Sequence, residues 1–375
     1  MTETTKSDSV PARRGLLKAA AVGAVGTAVL ATPNVSRAQT TTWRFQSTWP
    51  QRDIFHEFAQ DYVNRVNTLS GGRLRLELLA AGAVVGAFQL LDAVSAGTLD
   101  GGHGVTAYWW GKNPAFSLFG TSAPWFGDAN QFLGWFYHGG GEALYKELMH
   151  GIVRANAIGY LTGPMPCQPL GWFRNNIENV EQLRGLRYRT VGLNADVATT
   201  LGMAVVSLPG GEIVPALERG VIDGAEFNNP SSDRLLGFPD VAKNYMLQSF
   251  GQPVESFEVL FNRQKAEALP QELQQVLKIA AEAASSDMLW KAMDRYPRDL
   301  QAMASQQGVQ VRSTPRPILD AQLRAWDGVL AKYEADPFFK KVCDSQRDWC
   351  RRVGAFFLRA TASPAVSYNH FFARG

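Results

Sequence analysis

Two stretches, LDAVSAGTLDGGH (91–103) and VPALERGVIDGAE (214–226), align without a gap, and their reading decides the fold. The shared frame is Ala93/Ala216, Gly97/Gly220, Asp100/Asp223 and Gly101/Gly224. Each stretch reads as a helix, a glycine that ends it, a short strand and an Asp-Gly pair. Four identities leave coincidence as the alternative. If the match is structural, two lobes contain the same helix-to-strand unit, and each strand delivers a polar residue, His103 or Glu226, just past its end. Open α/β sheets bind ligands outside the carboxyl ends of their strands. Two such lobes facing each other would make a cleft.

The rest of the chain supports an α/β protein, because strand-like and helix-like runs alternate. TWRFQST (42–48) alternates as a strand does. In the next run Phe55, Phe58, Ala59, Tyr62, Val63 and Val66 share one helical stripe, which Gly71-Gly72 ends. RLRLELLA (73–80) is a second strand, FQLLDAVSAG a helix and TLDGGHGV a third strand. Further on, GWFRN, LRYRTVG, AVVSLPG, VIDGAEF and ESFEVLFNR (255–263) are strand-like, with LNADVATTLG and EIVPALERG as helices between. Runs near 270–306, 315–332 and 336–359 have helical spacing. The expected division is residues 39–162 and 250–314 in a first lobe, 163–249 in a second, and 315–375 as C-terminal helices.

Residues 1–38 read as a cleaved export signal. Arg13-Arg14 and Lys18 precede an Ala/Gly-rich apolar run, and Ser36-Arg37-Ala38 offers a cleavage site. The paired arginines suggest the twin-arginine (Tat) route, and the run is too short and too rich in Ala and Gly to span a membrane well. This segment holds five basic and two acidic residues, so the formal net charge of +3 resides in it. The remainder is formally neutral, which argues against a nucleic-acid or anionic-lipid surface. It also lacks another apolar stretch of about 18 residues, as expected of a soluble mature protein. Among the three cysteines, Cys343 and Cys350 lie about 10.5 Å apart along a helix axis, too far to bridge. Cys167 could pair with either only if the fold allows it. No Cys/His spacing resembles a zinc site.

Strand parity puts Arg187 and Arg189 on one face and Tyr188 on the other. Arg189 then sits at a strand end beside a helix starting near residue 193. A guanidinium and free helix N–H groups there suit a carboxylate; a solvent-facing arginine is the alternative, and Arg187 the competitor. Gln168 lies among Pro164, Pro166 and Pro169 on an irregular path with few backbone donors. Its amide can offer oxygen to a cation or N–H to a carboxylate, or can face water. Glu226, followed by Phe227, Asn228 and Asn229, can be an acid or base, an oxygen ligand for Na⁺ or Ca²⁺, or a solvent-exposed carboxylate. No G-x-S-x-G, H-E-x-x-H, P-loop or full G-x-G-x-x-G supplies a catalytic partner. Tyr108 is the aromatic of AYWWGKNPAF (107–116) best placed to donate to a ligand; the other aromatics and Trp172-Phe173 read equally as core. Gly139–Gly141 either forms an anion nest or separates two helices.

GAVVGAFQLLDAVSAGTLDGGHG, GKNPAFSLFG, PMPCQPLGWF, LRGLRYRTVG, LPGGEIVPALERGVIDGAEFNNPSSDRLLGFPDVAKNYM and PFFKKVCDSQRDW resemble, collinearly over nearly the whole mature chain, the solute-receptor subunits of TRAP transporters (the DctP-like extracytoplasmic proteins). The 2-oxo-acid-binding subgroup is the best match. The resemblance implies a two-lobed periplasmic-binding-protein fold, no catalysis, and delivery of a small 2-oxo or 2-hydroxy acid to a TRAP permease. It implies that Arg189 holds the substrate carboxylate, and that Gln168 helps hold substrate and cation. Glu226 and the Phe227 carbonyl would surround a Na⁺ or Ca²⁺ ion. Glu255 is implied to reach metal or substrate, with Asn228 and Tyr108 completing the substrate contacts. The subgroup often has Trp where this chain has Phe227, which removes an indole donor. Some relatives dimerise by exchanging a long C-terminal helix, for which 336–359 is the candidate. The alternative function is a secreted lyase or isomerase acting on small organic acids.

Overall fold

The computed structural model describes residues 40–166 and 168–373. The expected export signal and Cys167 lie outside the described residues. Strands β1 (Thr41–Ser47), β2 (Leu74–Leu79), β3 (Gly101–Gly104) and β4 (Ala157–Met165) belong to one sheet. Strands β5 (Gly171–Phe173), β6 (Arg187–Arg189), β7 (Ala204–Val206), β8 (Gly224–Ala225) and β9 (Asn244–Met246) build a second. Strand β10 (Glu255–Asn262) returns to the first sheet, between β3 and β4, and β11 (Gln310–Arg312) pairs with β9.

The chain therefore crosses between the sheets along adjacent paths. It leaves the first sheet after β4 and re-enters on β10, and the two strands are antiparallel with Glu255 opposite Met165. A register irregularity at Ser256/Phe257 lies beside Gly163 (φ +62°), and it bends the ladder at the crossing.

The repeated unit is structural. In the first sheet β1 and β3 are parallel with Phe45 opposite Gly101; in the second β6 and β8 are parallel with Tyr188 opposite Gly224. Helices Leu90–Ser95 and Gly210–Glu218 precede these strands, followed by Gly97 (φ +79°) and Gly220 (φ +68°), whose left-handed backbone an L side chain resists. Asp100 accepts the Arg44 N–H (2.6 Å) and Asp223 the Arg187 N–H (3.0 Å) at equivalent registers. The glycine after each Asp is also required. A Cβ on Gly101 would lie 2.6 Å from Phe261 Cδ1, and one on Gly224 would lie 2.6 Å from Phe173 Cδ1.

The predicted stripe of the first helix (Ile54–Leu69) is the buried one, and Asp53 caps it by accepting the Phe55 N–H at 3.1 Å. Trp172 and Phe173 are core: the Trp172 indole stacks on Tyr245 at 4.2 Å and donates to Asp233 at 2.7 Å. Gly139–Gly141 lies where helices Ala129–His138 and Gly141–Lys146 meet, the separating role rather than an anion nest. Cys343 and Cys350 are buried and free on the Pro337–Ala360 helix.

Three expectations need correction. The expected first lobe takes in residues 310–314, yet β11 lies in the second sheet, because the helix Gln271–Gln306, about 54 Å long at 1.5 Å per residue, carries the chain across. The second-lobe boundary at 163 falls too early, since β4 stays in the first sheet to Met165. VIDGAEF contributes only the two-residue β8, because the chain turns away at Glu226 into the site. Among the described residues no helix is long and apolar enough to cross a membrane.

Candidate functional site

The site gathers where the second-sheet strand ends meet the crossing segments. Arg189 ends β6 with its side chain buried, whereas Arg187, at the exposed start of the same strand, pairs with Asp223 (2.5 Å). Arg189 is 1 % exposed. Its Nε donates to the Leu208 carbonyl (2.8 Å), and Nη1 donates to the Glu226 carbonyl (2.9 Å) and to Glu226 Oε1 (3.0 Å). The Phe227 ring lies 5.6 Å from the guanidinium carbon and packs on Phe55 and Phe238. A Cβ on Gly210 would come within 2.5 Å of that ring, so the ring needs a bare backbone beside it.

Glu255 opens β10 at the crossing. One of its oxygens accepts from both the Gln168 and the Asn228 side-chain amides. Gln168 itself is tied by its N–H to the Gln252 carbonyl at 3.0 Å, which joins the two crossing segments. The pattern thus brings Arg189, Glu226, Phe227, Asn228, Gln168 and Glu255 together, each 5 % exposed or less. Tyr108 sits in the short helical turn Thr106–Trp109 and feels the charges of Arg189, Glu255 and Glu226.

Electrostatically the cluster has more carboxylate than cation. Burial pushes the Glu226 carboxyl up to about 6, opposed by Arg189, by the Thr190 side chain and by the Val191 N–H. Burial raises Glu255 to about 8, and the Glu226 charge adds to the rise while Gln168, Asn228 and Arg189 oppose it. Glu226 Oε2 has no hydrogen bond of good geometry, although Thr190 and Val191 stand near.

These residues fit a hard cation. The donors are carboxylate and amide oxygens, the ligand type Na⁺ and Ca²⁺ take, and an underbonded buried carboxylate oxygen stands among them. Among the described residues no group of three or more His, Cys, Asp or Glu side chains is arranged for a metal, so any such site is of the mixed oxygen kind.

His103, expected at the cleft, is not there. It lies within β3, takes the Trp49 indole N–H at 2.8 Å, and burial lowers its pKa to about 3. It is a neutral packing residue of the first lobe. The sequence reading missed Gln252, buried with no hydrogen-bond partner for its side-chain amide. The signal for it is a repeated dipeptide: Gln168-Pro169 and Gln252-Pro253 occupy the two crossing segments. It also missed Asp53, whose Oδ1 takes the Ser232 hydroxyl (2.7 Å) across the lobes and whose carboxyl burial raises to about 7.

Two sheet-centred lobes with a buried Arg–carboxylate centre at their junction define a two-lobed binding protein. Residues 45–336 match the family model described as bacterial extracellular solute-binding protein, family 7, and the chain belongs to that family. It is 36 % identical over 283 residues to the monocarboxylate 2-oxoacid-binding periplasmic protein of a Nostoc strain, covering 74 % of this chain and 77 % of that protein. The fold is similar to a TRAP transporter solute-binding protein from Bordetella bronchiseptica (TM-score 0.83, 28 % identity, 89 % of this chain and 98 % of that one), described as a mixed-occupancy dimer with calcium and picolinate. It is also similar to one from Pseudoalteromonas atlantica with sodium and pyruvate (TM-score 0.81, 29 % identity, 89 % and 100 % covered).

Proposed function

We propose that this protein is a periplasmic receptor that binds a small 2-oxo or 2-hydroxy carboxylic acid together with Na⁺ or Ca²⁺ and presents it to a TRAP permease. The observation that carries the reading is the charge balance of the site: one buried arginine faces two buried glutamates, one with an underbonded oxygen. A carboxylate ligand added alone would leave that centre two positive charges short with both glutamates ionised, and one short with Glu255 holding its proton, and burial makes either deficit costly. Ca²⁺ offsets the larger deficit and Na⁺ the smaller.

Arg189 holds the acid's carboxylate. Gln168, Glu226, the Phe227 carbonyl and Glu255 are the cation's ligands from the protein, and Asn228 orients Glu255. Tyr108 closes the site from the first lobe. A 2-oxo or 2-hydroxy acid offers a carboxylate oxygen and its neighbour, which can chelate the cation. The lobes, divided at the β4 and β10 crossings, close to remove water from these contacts and strengthen them. The calcium with picolinate of the Bordetella protein and the sodium with pyruvate of the Pseudoalteromonas protein support the acid-plus-cation pairing, and the name of the Nostoc protein supports a monocarboxylate 2-oxo acid.

Export by the Tat route rests on Arg13-Arg14. A homodimer is supported by the apolar C-terminal end, where Phe356, Leu358, Val366, Phe371 and Phe372 are exposed, and by the dimer of the Bordetella relative. Native mass spectrometry of freshly purified protein tests the reading: it should report a retained small acid with a cation and a dimeric mass. A ligand-free protein that takes up neither from a panel of 2-oxo and 2-hydroxy acids contradicts it.

A further inference from the structure

We propose that Arg52 and Asp53 of the first lobe are positioning residues that latch onto the helix Pro230–Leu236 of the second lobe while the lobes are closed on the acid, and so set how long the acid stays bound. This rests on the receptor reading above, since the latch acts on the closed, acid-loaded arrangement.

The helix is tied directly to the ionic centre. It begins just after Phe227, Asn228 and Asn229. The Asn229 side chain caps it, accepting the Ser231 and Ser232 N–H groups at 3.0 and 2.9 Å. The same side chain donates to Asn228 Oδ1 at 2.8 Å, and Asn228 in turn donates to Glu255. A grip on this helix is therefore a grip on the segment that carries Phe227 and Asn228.

The first lobe reaches both ends of the helix. In its first turn the Ser232 hydroxyl donates to Asp53 Oδ1 at 2.7 Å, and both side chains are buried. In its last turn Arg52 Nη2 donates to the Leu236 carbonyl at 2.8 Å. The last carbonyls of a helix lack partners within it, so that oxygen is open to a donor from outside. Beside these two bonds the Phe55 ring meets Phe227 at 5.8 Å. Both hydrogen bonds of Asp53 fall on Oδ1: the Phe55 N–H comes from its own lobe and the Ser232 hydroxyl from the other, while Oδ2 has no partner. Parting the lobes at the β4 and β10 crossings keeps the first bond, breaks the second and breaks the Arg52 bond. Without the Ser232 hydroxyl, the closed arrangement buries a carboxylate with the cap bond alone, which is costly. The open arrangement does not have that bond to lose.

Calorimetry and stopped-flow measurements with pyruvate and lactate, on mature protein saturated with Na⁺ or Ca²⁺, test this beside thermal unfolding of the ligand-free protein. Ser232→Ala should weaken acid binding about five- to tenfold. The loss should come as faster dissociation, with association within about twofold, and the ligand-free melting temperature should be unchanged. Arg52→Ala, at a more exposed bond, should speed dissociation about two- to threefold, and Arg52→Lys should restore most of it. Should Ser232→Ala not fold, the Arg52 pair carries the test by the same readouts. An unchanged dissociation rate, or a ligand-free melting temperature that falls with the affinity, overturns the latch and leaves the receptor reading standing. Absence of binding of either acid by the unsubstituted protein overturns that reading, and this inference with it.

Discussion

The two copies of the helix-to-strand unit share a scaffold and differ in what they carry. Gln46 and Arg189 occupy equivalent registers, opposite Gly102 and Ala225. Gln46 spends its amide on the 84–85 loop, donating to the Val85 carbonyl (2.8 Å) and accepting the Val84 N–H (2.9 Å). Arg189 brings a charge to the same place. The residue past each strand register differs in parallel: His103 is neutral and bonded to Trp49, whereas Glu226 faces Arg189. A polar residue at a strand end is therefore insufficient to make a site. The candidate site lies on the second lobe, where the partner strand brings a complementary charge, Arg189, to Glu226.

The strongest way to break that asymmetry is to give the second lobe the first lobe's residue. Arg189→Gln leaves Glu226 buried without its cation, a change that costs about 3–5 kcal/mol in comparable buried pairs. We expect acid binding to fall more than about 100-fold by calorimetry; unchanged affinity would remove Arg189 from the site. Glu226→Gln should lower affinity by more than the roughly 10–100-fold that outer-shell changes cost at metal sites, and should weaken its dependence on Na⁺ or Ca²⁺.

The shared part of the scaffold predicts symmetry instead. Asp100→Ala and Asp223→Ala each remove the acceptor of an equivalent strand N–H, and each should destabilise by about 1–3 kcal/mol in urea unfolding. A large effect at one and none at the other would show that the units are not mechanically equivalent. His103→Gln is the smallest expected change for function: a modest loss of thermal stability, with acid affinity within about twofold.

Ligand-free stability should also depend on pH in a set direction. Burial raises Asp53, Asp233 and Glu258 to about 7 and Glu255 to about 8, so the folded state holds protons that the unfolded chain has released. Where the native state binds more protons, stability falls as pH rises. Burial acts oppositely on His103 and His56, but that contribution ends near the ordinary histidine value of 6.5. Between pH 6.5 and 8 the melting temperature should therefore drop. Glu258→Gln, which can keep bonds to Tyr145 and Trp109, should flatten the slope; a melting temperature that rises over this interval would contradict the assignment.

Local pattern carried most of this into the sequence. Strand parity paired Arg189 with Arg187 and left the choice between them open, which the Asp223 ion pair decides, whereas the Asp-Gly match located both lobes, because turn chemistry is set by near neighbours. What stayed hidden depends on partners far along the chain. His103 is removed from the cleft by Trp49, Gln252 matters because β10 returns beside β4, and β11 changes lobes because one long helix spans the molecule. None of those distances is written in a local spacing.

The central claim is that Arg189 and Glu226 hold an acid and a cation as one unit. Titrating pyruvate into chelator-stripped protein, with and without added Na⁺ or Ca²⁺, tests it most directly. The account predicts binding at least about tenfold tighter with the cation, a difference of about 1.4 kcal/mol, and loss of that gain in Glu226→Gln. Equal pyruvate affinity in the presence and absence of both cations would contradict it.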